Sequence, residues 1–279
     1  MSKTMRPWVP AALLLLVLVL VPALASANHS WGGFHWGRQS NPFTVKLVDV
    51  VTSTWDPILA TTSSDWTASS VLNTTIVAGS GSAKSCRPID GQVKVCNSTY
   101  GSTGWLGIAQ IWITGGTHIT QGVVKLNDTY HNSPPYNTTP WRNLVSCQEV
   151  GHTLGLDHQD ENFNNANLGT CMDYTNDPST NQHPNQHDYD QLEAIYAHLD
   201  SITTVKLFGG ASEIPMPPAM RDIDFAGPTQ WGKLIGHTDG GLTAVYELDF
   251  GSGFKVITYV IWADPELLRE HGAGGAQQQ

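Results

Sequence analysis

The chain carries little charge, and basic residues are especially scarce. Only 14% of its 279 residues are charged, and 14 Lys and Arg face 24 Asp and Glu, which gives a formal net charge of −10. An acidic chain without a basic cluster is a poor partner for polyanions. We therefore expect that neither nucleic acid nor an anionic membrane surface is a partner.

Long hydrophobic segments are also missing. The apolar run Ala11 to Val21 has 11 residues, whereas a membrane-spanning helix needs about 20. The run follows Lys3 and Arg6 and precedes the small residues Ala25 to Ala27, an order typical of a secretory signal peptide. We predict that residues 1–27 are a signal peptide and that the protein is secreted to the extracellular side.

Cysteine is sparse, with four residues and no C-x-x-C pair. An even number in an exported chain predicts two disulfides, and the missing C-x-x-C spacing makes a cysteine metal site the weaker alternative. Four cysteines allow three pairings. Sequence proximity favours Cys86 with Cys96 and Cys147 with Cys171.

Composition divides the rest of the chain. Residues 28–42 are rich in Gly, Trp and His and predict a flexible arm, and residues 43–200 predict the main folded domain. Three further regions follow: a Gly, Pro and Met-rich linker at 201–230, a small β-rich segment at 231–263, and a disordered tail at 264–279.

The order of elements predicts an α+β fold, with a twisted mixed sheet flanked by helices. One early helix, Asp65 to Leu72, stands among several strands, and further helices come later. The predicted strands are Phe43 to Val50, Thr74 to Ala78, Gln92 to Cys96, Trp105 to Ile113 and Gly122 to Leu126, followed by Gly232 to Ile235, Leu242 to Phe250 and Gly253 to Trp262.

Two later helices have clear end signals. Thr139 is a suitable N-cap for a helix over Trp141 to Leu154, which Gly155 ends in a left-handed conformation. The second helix runs from Asp188 to about Leu199, with Asp188 and Gln191 as a capping box. Its apolar stripe predicts core packing at Tyr189, Leu192, Ile195, Tyr196 and Leu199.

The segment from Cys147 to His158 carries residues suited to metal chemistry. Gln148 and His152 lie one turn apart on a helix, so both can reach one ion, and Glu149 projects beside them to hold a water. Gly155 lets the chain turn sharply so that His158 returns to the same ion.

These residues resemble the metzincin metalloproteases, whose pattern is H-E-x-x-H-x-x-G-x-x-H. Glu149, His152, Gly155 and His158 match it, and the sequence from Gly151 to His158 is most similar to the matrixin branch. Met172, in the sequence Cys-Met-Asp-Tyr, resembles the family's Met-turn beneath the metal.

The resemblance implies a metzincin-like catalytic domain over residues 43–200, with an active-site helix, a Met-turn and a C-terminal helix. It implies a zinc-dependent endopeptidase with Zn²⁺ on His152 and His158, and Glu149 as general base. Met172 forms a hydrophobic floor, and Tyr174 matches the tyrosine with which astacins stabilise the oxyanion.

The resemblance also implies how a substrate binds. An extended polypeptide pairs antiparallel with an edge strand, here Trp105 to Ile113, through Gly107, Ile108 and Ala109. The protein is expected to act as a monomer.

The first ligand position departs from the pattern, because Gln148 replaces a histidine. Three interpretations compete. Gln148 coordinates zinc through its weaker amide oxygen, another histidine completes the site (His118, His131, His183 or His187), or the site is poor in metal and inactive. The alternative function is therefore a secreted binding protein on a metzincin scaffold.

An oxygen-rich loop follows His158. A structural Ca²⁺ is one interpretation and a solvated loop is the other, because no EF-hand spacing is present. Its oxygen-bearing residues are Asp157, Asp160, Glu161, Asn162, Asn164, Asn165 and Asn167.

Overall fold

The structure is a computed structural model that describes residues 29–205, 216–221, 225, 227–238 and 240–272. The predicted signal peptide lies outside the described residues, as do residues 206–215 of the predicted linker and residues 273–279 of the predicted tail. None of the helices within the described ranges has the length and apolar character needed to span a membrane.

Within the described residues, one helix interrupts the first six strands, several helices follow, and three strands and a short helix come last. The elements are β1 His35–Trp36, β2 Phe43–Val50, α1 Asp56–Thr67, β3 Leu72–Ala78, β4 Val93–Ser98, β5 Trp105–Thr114, β6 His118–Asn127, α2 Asp128–His131, α3 Thr139–Thr153, α4 Gln186–Ile195, α5 Pro218–Arg221, β7 Lys233–His237, β8 Thr243–Gly251, β9 Phe254–Trp262 and α6 Pro265–Glu270.

The described strands form one nine-stranded mixed sheet in the order β3-β2-β4-β6-β5-β9-β8-β7, with β1 paired to β6. The pairs from β3 to β6 are parallel, and those from β6 through β5 to β7 are antiparallel. The predicted α+β class with a mixed sheet is confirmed, and each predicted strand is present with its ends shifted by a few residues.

The prediction that β5 is an edge strand is wrong. β5 pairs with β6 on one side and with β9 on the other. In this register Gly107, Ile108 and Ala109 face Ile261, Val260 and Tyr259. Strand β9 forms the backbone hydrogen bonds that β5 would leave unpaired if it were an edge strand. Residues 231–263 therefore extend the main sheet and are not a separate small segment.

The sheet is covered on both faces. Helices α1 and α3 pack on one face around a core that includes Leu106, Ile111 and Val145. On the other face, Met220, Phe225 and Trp231 cover the central strands. The described part of the predicted linker thus contributes core side chains, which a Gly and Pro-rich composition does not indicate.

Helix α1 begins earlier than the sequence predicts. It spans Asp56–Thr67 instead of Asp65 to Leu72, and Leu72 opens β3. Its Thr and Ser residues resemble a loop, but the Thr62 hydroxyl is buried and bonds the Ser146 hydroxyl of α3 at 2.8 Å. Tertiary contacts with α3 therefore override the weak helix propensity of these residues.

The helix caps differ from the prediction by a few residues. Thr138, not Thr139, caps α3 through a hydrogen bond from the Trp141 amide. Asn185 caps α4 in a capping box with Asp188. Helix α4 ends at Ile195, so Leu199 is 58% exposed and does not join the apolar stripe.

The described residues near the two ends of the chain contain regular structure that was not predicted. The predicted flexible arm contains β1, and its Phe34 and Trp36 are buried in the core. The Trp36 indole donates to the Thr153 carbonyl at 2.8 Å, which attaches this segment to the end of α3. The predicted disordered tail contains α6, capped by the Asp264 side chain.

Both predicted disulfides are present, Cys86–Cys96 and Cys147–Cys171. The described residues contain no free cysteine. Disulfides of this kind are typical of proteins that fold in an oxidising, non-cytosolic compartment.

Candidate metal centre

Helix α3 brings Gln148, Glu149 and His152 into the interior, where each is at most 2% exposed. Strand β5 can approach this helix because residue 107 is glycine. A Cβ at Gly107 would lie 2.5 Å from Val145 Cγ1 and 2.8 Å from Glu149 Oε1. Glycine at position 107 therefore lets strand β5 fit beside the Glu149 carboxylate.

His158 returns to His152 through the turn at Gly155, as predicted. Gly155 has a φ of +99°, and a Cβ there would lie 2.2 Å from the Phe34 carbonyl oxygen. Only glycine fits such a position. The rings of His152 and His158 meet edge to face with their centroids 4.4 Å apart.

Hydrogen bonds at Nδ1 orient both rings. His152 Nδ1 donates to the Leu156 carbonyl at 2.9 Å, and His158 Nδ1 lies 2.7 Å from the Tyr174 hydroxyl. The Leu156 carbonyl can only accept, so it places the proton of His152 on Nδ1 and leaves Nε2 to bind a metal. The Tyr174 hydroxyl can donate or accept, so its bond orients the His158 ring without selecting the tautomer. Both rings therefore have the second-shell partners that metal-binding histidines usually have.

Burial sets the protonation state of the cluster. It lowers the pKa of His152 to about 3 and that of His158 well below its usual range. Both imidazoles are thus neutral at neutral pH, which is the form that binds metals. Burial also raises the pKa of Glu149 well above its usual range, as desolvation does for a carboxylate without a cationic partner.

Gln148 and Glu149 carry polar atoms without hydrogen-bond partners among the described residues. These atoms are Oε1 and Nε2 of Gln148 and Oε2 of Glu149, all of them buried. An unpaired buried polar group costs about 1–3 kcal/mol. A cation with a bound water gives such oxygens a partner, so the donor set of one amide oxygen and two imidazoles fits zinc.

Met172 lies beneath this cluster. A Cβ at Gly151 would lie 2.7 Å from the Met172 sulfur, so the glycine between Gln148 and His152 admits the methionine. The disulfide between Cys147 and Cys171 holds the two segments together. The fully buried Met172 therefore has the surroundings of a hydrophobic floor.

Tyr174 is a partner of His158 in this structure. Besides the bond to His158, its hydroxyl interacts with Thr243 at the start of β8. The Tyr174 hydroxyl thus orients a candidate ligand, and its predicted oxyanion role stays a prediction.

The hairpin of β8 and β9 covers the cluster. Tyr259 of β9 stacks on His152 with centroids 4.1 Å apart and an interplanar angle of 5°. The ring is 1% exposed, and its hydroxyl has no partner among the described residues. Tyr259 and Thr243 are not predicted as site residues from the sequence, because strand alternation does not indicate where a distant hairpin docks.

The four other histidines considered as a third ligand make contacts elsewhere. His118 faces Asp200 and His183 faces Asp65. His131 packs against Trp55, and His187 stacks on His29. Among the candidates from the sequence, Gln148 is the one that shares a helix face with His152.

The oxygen-rich loop uses several of its oxygens internally. The Asp160 carboxylate accepts from the Asn162 amide at 2.6 Å and from Asn165 Nδ2 at 2.8 Å. Ligand atoms of Asp157, His158 and Glu161 do approach within 4.8 Å of one another. The bonds within the loop favour the solvated interpretation, and a bound Ca²⁺ stays a prediction.

Neither a scan against models of protein families nor a search of curated proteins returns a match for this chain. The site is therefore interpreted from its own residues.

Proposed function

We propose that this protein is a secreted zinc-dependent endopeptidase of the metzincin type whose active site is closed by its own C-terminal hairpin. The observation that carries the proposal is the buried cluster of Glu149, His152 and His158 above Met172. These groups come from two separate segments of the chain, and they meet through the glycine turn that the sequence pattern requires.

Zinc would be held by the Gln148 amide oxygen and by Nε2 of His152 and of His158. When bound there, it would lower the pKa of a water and polarise the scissile carbonyl. As the water oxygen adds to the carbonyl carbon, Glu149 takes its proton and delivers it to the leaving amine when the C–N bond breaks. Burial raises the pKa of Glu149 in the metal-free chain, and a nearby cation would lower it again, towards the ionised form that accepts the proton.

Strand β9 has the orientation that an extended substrate would adopt. It runs antiparallel to β5 and faces Gly107, Ile108 and Ala109. Backbone pairing of this kind depends little on side-chain identity, so a substrate strand can replace β9. Access to His152 therefore requires that Tyr259 and its strand move away.

One observation favours a second candidate function. A cluster this deeply covered also suits a protein that has kept the scaffold and binds a partner through other surfaces. In that case Gln148 marks a site that has lost metal, and the hairpin is a permanent part of the sheet.

Hydrolysis of casein by the mature chain with added zinc separates the two candidates. The critical variant is Tyr259→Ala, with Tyr259→Leu as a milder change. Loss of a stacked aromatic contact weakens closure by up to about 1.5 kcal/mol, so we expect hydrolysis to rise by about tenfold.

The control variant is Tyr246→Ala, which removes a tyrosine of β8 that packs on Trp231, away from His152. We expect its activity to stay near that of the unmodified chain. Adding Glu149→Ala to Tyr259→Ala, or adding a chelator, is expected to abolish hydrolysis. If folded Tyr259→Ala and Tyr259→Leu proteins cleave nothing with zinc present, the endopeptidase proposal is wrong and the binding-protein candidate is the one left to test.

A further inference from the structure

A second cluster of metal-binding side chains lies away from the centre described above. It contains His35 of β1, His118 at the start of β6, and His198 and Asp200 after α4. His35 and His118 are direct partners in the β1–β6 pair. Three segments that are far apart in sequence therefore present their side chains to one point.

The donor atoms of this cluster surround one carboxylate oxygen. Asp200 Oδ1 lies 3.4 Å from His35 Nε2, 3.2 Å from His118 Nε2 and 3.5 Å from His198 Nε2. The Nε2 atoms of His35 and His198 are 3.2 Å apart. Ligand atoms of His35, His198 and Asp200 all lie within 4.8 Å of one another.

The hydrogen bonds of the cluster leave ligand atoms directed at its centre. His35 Nδ1 lies 2.7 Å from the Gly33 carbonyl, so Nδ1 donates and Nε2 carries a lone pair. His198 Nε2 can donate to that nitrogen, and His118 Nε2 can donate to Asp200 Oδ1. In the other tautomer of His198 its Nε2 also carries a lone pair, and three donor atoms then lie within 4.8 Å of one another.

The other oxygen of Asp200 is already engaged. Asp200 Oδ2 accepts from Arg38 Nη1 at 2.7 Å and from the Arg38 amide at 3.2 Å. Arg38 thus fixes the carboxylate with Oδ1 directed at the imidazoles.

We infer that His35, His198 and Asp200 form a structural zinc site. Donors placed tetrahedrally about 2.0–2.1 Å from zinc are about 3.3–3.4 Å from one another, close to the separations of 3.4, 3.5 and 3.2 Å among His35 Nε2, His198 Nε2 and Asp200 Oδ1. Two imidazole nitrogens favour zinc over calcium or magnesium, which prefer oxygen ligands. Arg38 and Gly33 supply the second-shell contacts that orient such ligands.

The site fastens the N-terminal segment to the main sheet. His35 neighbours Trp36, whose indole bonds the last turn of α3, and Arg38 Nη2 bonds the His198 carbonyl. Zinc here would hold β1 against the segment after α4, behind His152. The inference is independent of the proposed function, because it uses none of the residues of the candidate active site.

The test is zinc binding by the zinc-free mature chain, measured as bound zinc per chain in buffered zinc. The variant is His198→Ala, and His183→Ala is the matched control. The two side chains are 53% and 54% exposed, and each faces one aspartate, so their removal perturbs the fold about equally. His35→Ala serves as a second variant.

We expect His198→Ala and His35→Ala to bind one zinc per chain fewer than His183→Ala, with affinity at this site reduced by at least about tenfold. The difference of one zinc holds whether or not the candidate active site also binds metal. Chains loaded with Co²⁺ in place of zinc should show the visible absorption bands of tetrahedral Co²⁺. In His198→Ala these bands should be weaker by the contribution of one site. Equal zinc content in His198→Ala, His35→Ala and His183→Ala overturns the inference.

Discussion

Replacement of Gln148 by leucine gives the sharpest perturbation of the candidate active site. Gln148 is 1% exposed, and neither polar atom of its amide has a partner among the described residues. Leucine has a similar volume and leaves no unpaired polar group. Because an unpaired group costs about 1–3 kcal/mol, we expect the metal-free Gln148→Leu variant to be more stable by about 2 kcal/mol.

Added zinc should offset the higher stability of the Gln148→Leu variant relative to the unmodified chain. At a zinc concentration 100 times the dissociation constant, a ligand that binds only the folded chain stabilises it by about 2.7 kcal/mol. The unmodified chain receives this increment at the Gln148 site, whereas Gln148→Leu has lost a ligand and receives much less. The increment from the second zinc site is common to both chains and cancels in the comparison.

Urea denaturation followed by tryptophan fluorescence, with chelator or with buffered zinc, measures both effects. Gln110→Leu is the matched control, because Gln110 is equally buried but donates to Thr258 at 3.1 Å. We expect Gln110→Leu to lose about 1 kcal/mol and to keep the full zinc increment. If Gln148→Leu gains as much from zinc as the unmodified chain does, Gln148 is not a ligand.

Three further predictions concern the scaffold. Gly155→Ala should lower the free energy of unfolding in urea by at least about 2 kcal/mol, because it combines a positive φ with a clash against a backbone carbonyl. Gly169 also has a positive φ but lies in open surroundings, so Gly169→Ala should cost about 1 kcal/mol. Burial lowers the pKa of His131 from 6.5 to about 4, so the unfolded chain binds the proton first and stability is lost as the pH falls from about 6.5 towards 4. In urea denaturation at several pH values across this range, the free energy of unfolding should change less with pH for His131→Gln than for the unmodified chain. An unchanged pH dependence would contradict the assignment. Removal of the Cys147–Cys171 disulfide by paired alanine substitution should cost about 3 kcal/mol, measured as a shift in the urea midpoint.

Local signals in the sequence predicted much of the fold. Alternating apolar residues located the strands, and Gly155 located the end of α3, because both signals act over a few residues. The two disulfide pairings followed from proximity in sequence. Boundaries were less accurate where tertiary contacts decide, as at α1, whose Thr and Ser residues become helical by packing on α3.

Long-range docking was beyond the sequence pattern. The strands of the C-terminal hairpin were predicted, but nothing local shows that β9 pairs with β5 or that Tyr259 covers His152. The same limit applies to His35, His118, His198 and Asp200, whose spacing in sequence matches no short metal motif. The topology of the sheet, rather than any local pattern, brings them together.

The most direct test of the central claim is anomalous diffraction at the zinc edge from crystals of the mature chain supplied with zinc. We expect a peak within bonding distance of the Gln148 amide oxygen and of Nε2 of His152 and His158. The expected peak at His35, His198 and Asp200 serves as an internal reference for zinc uptake. A map with that second peak and none at Gln148 would contradict the claim that this protein is a zinc endopeptidase.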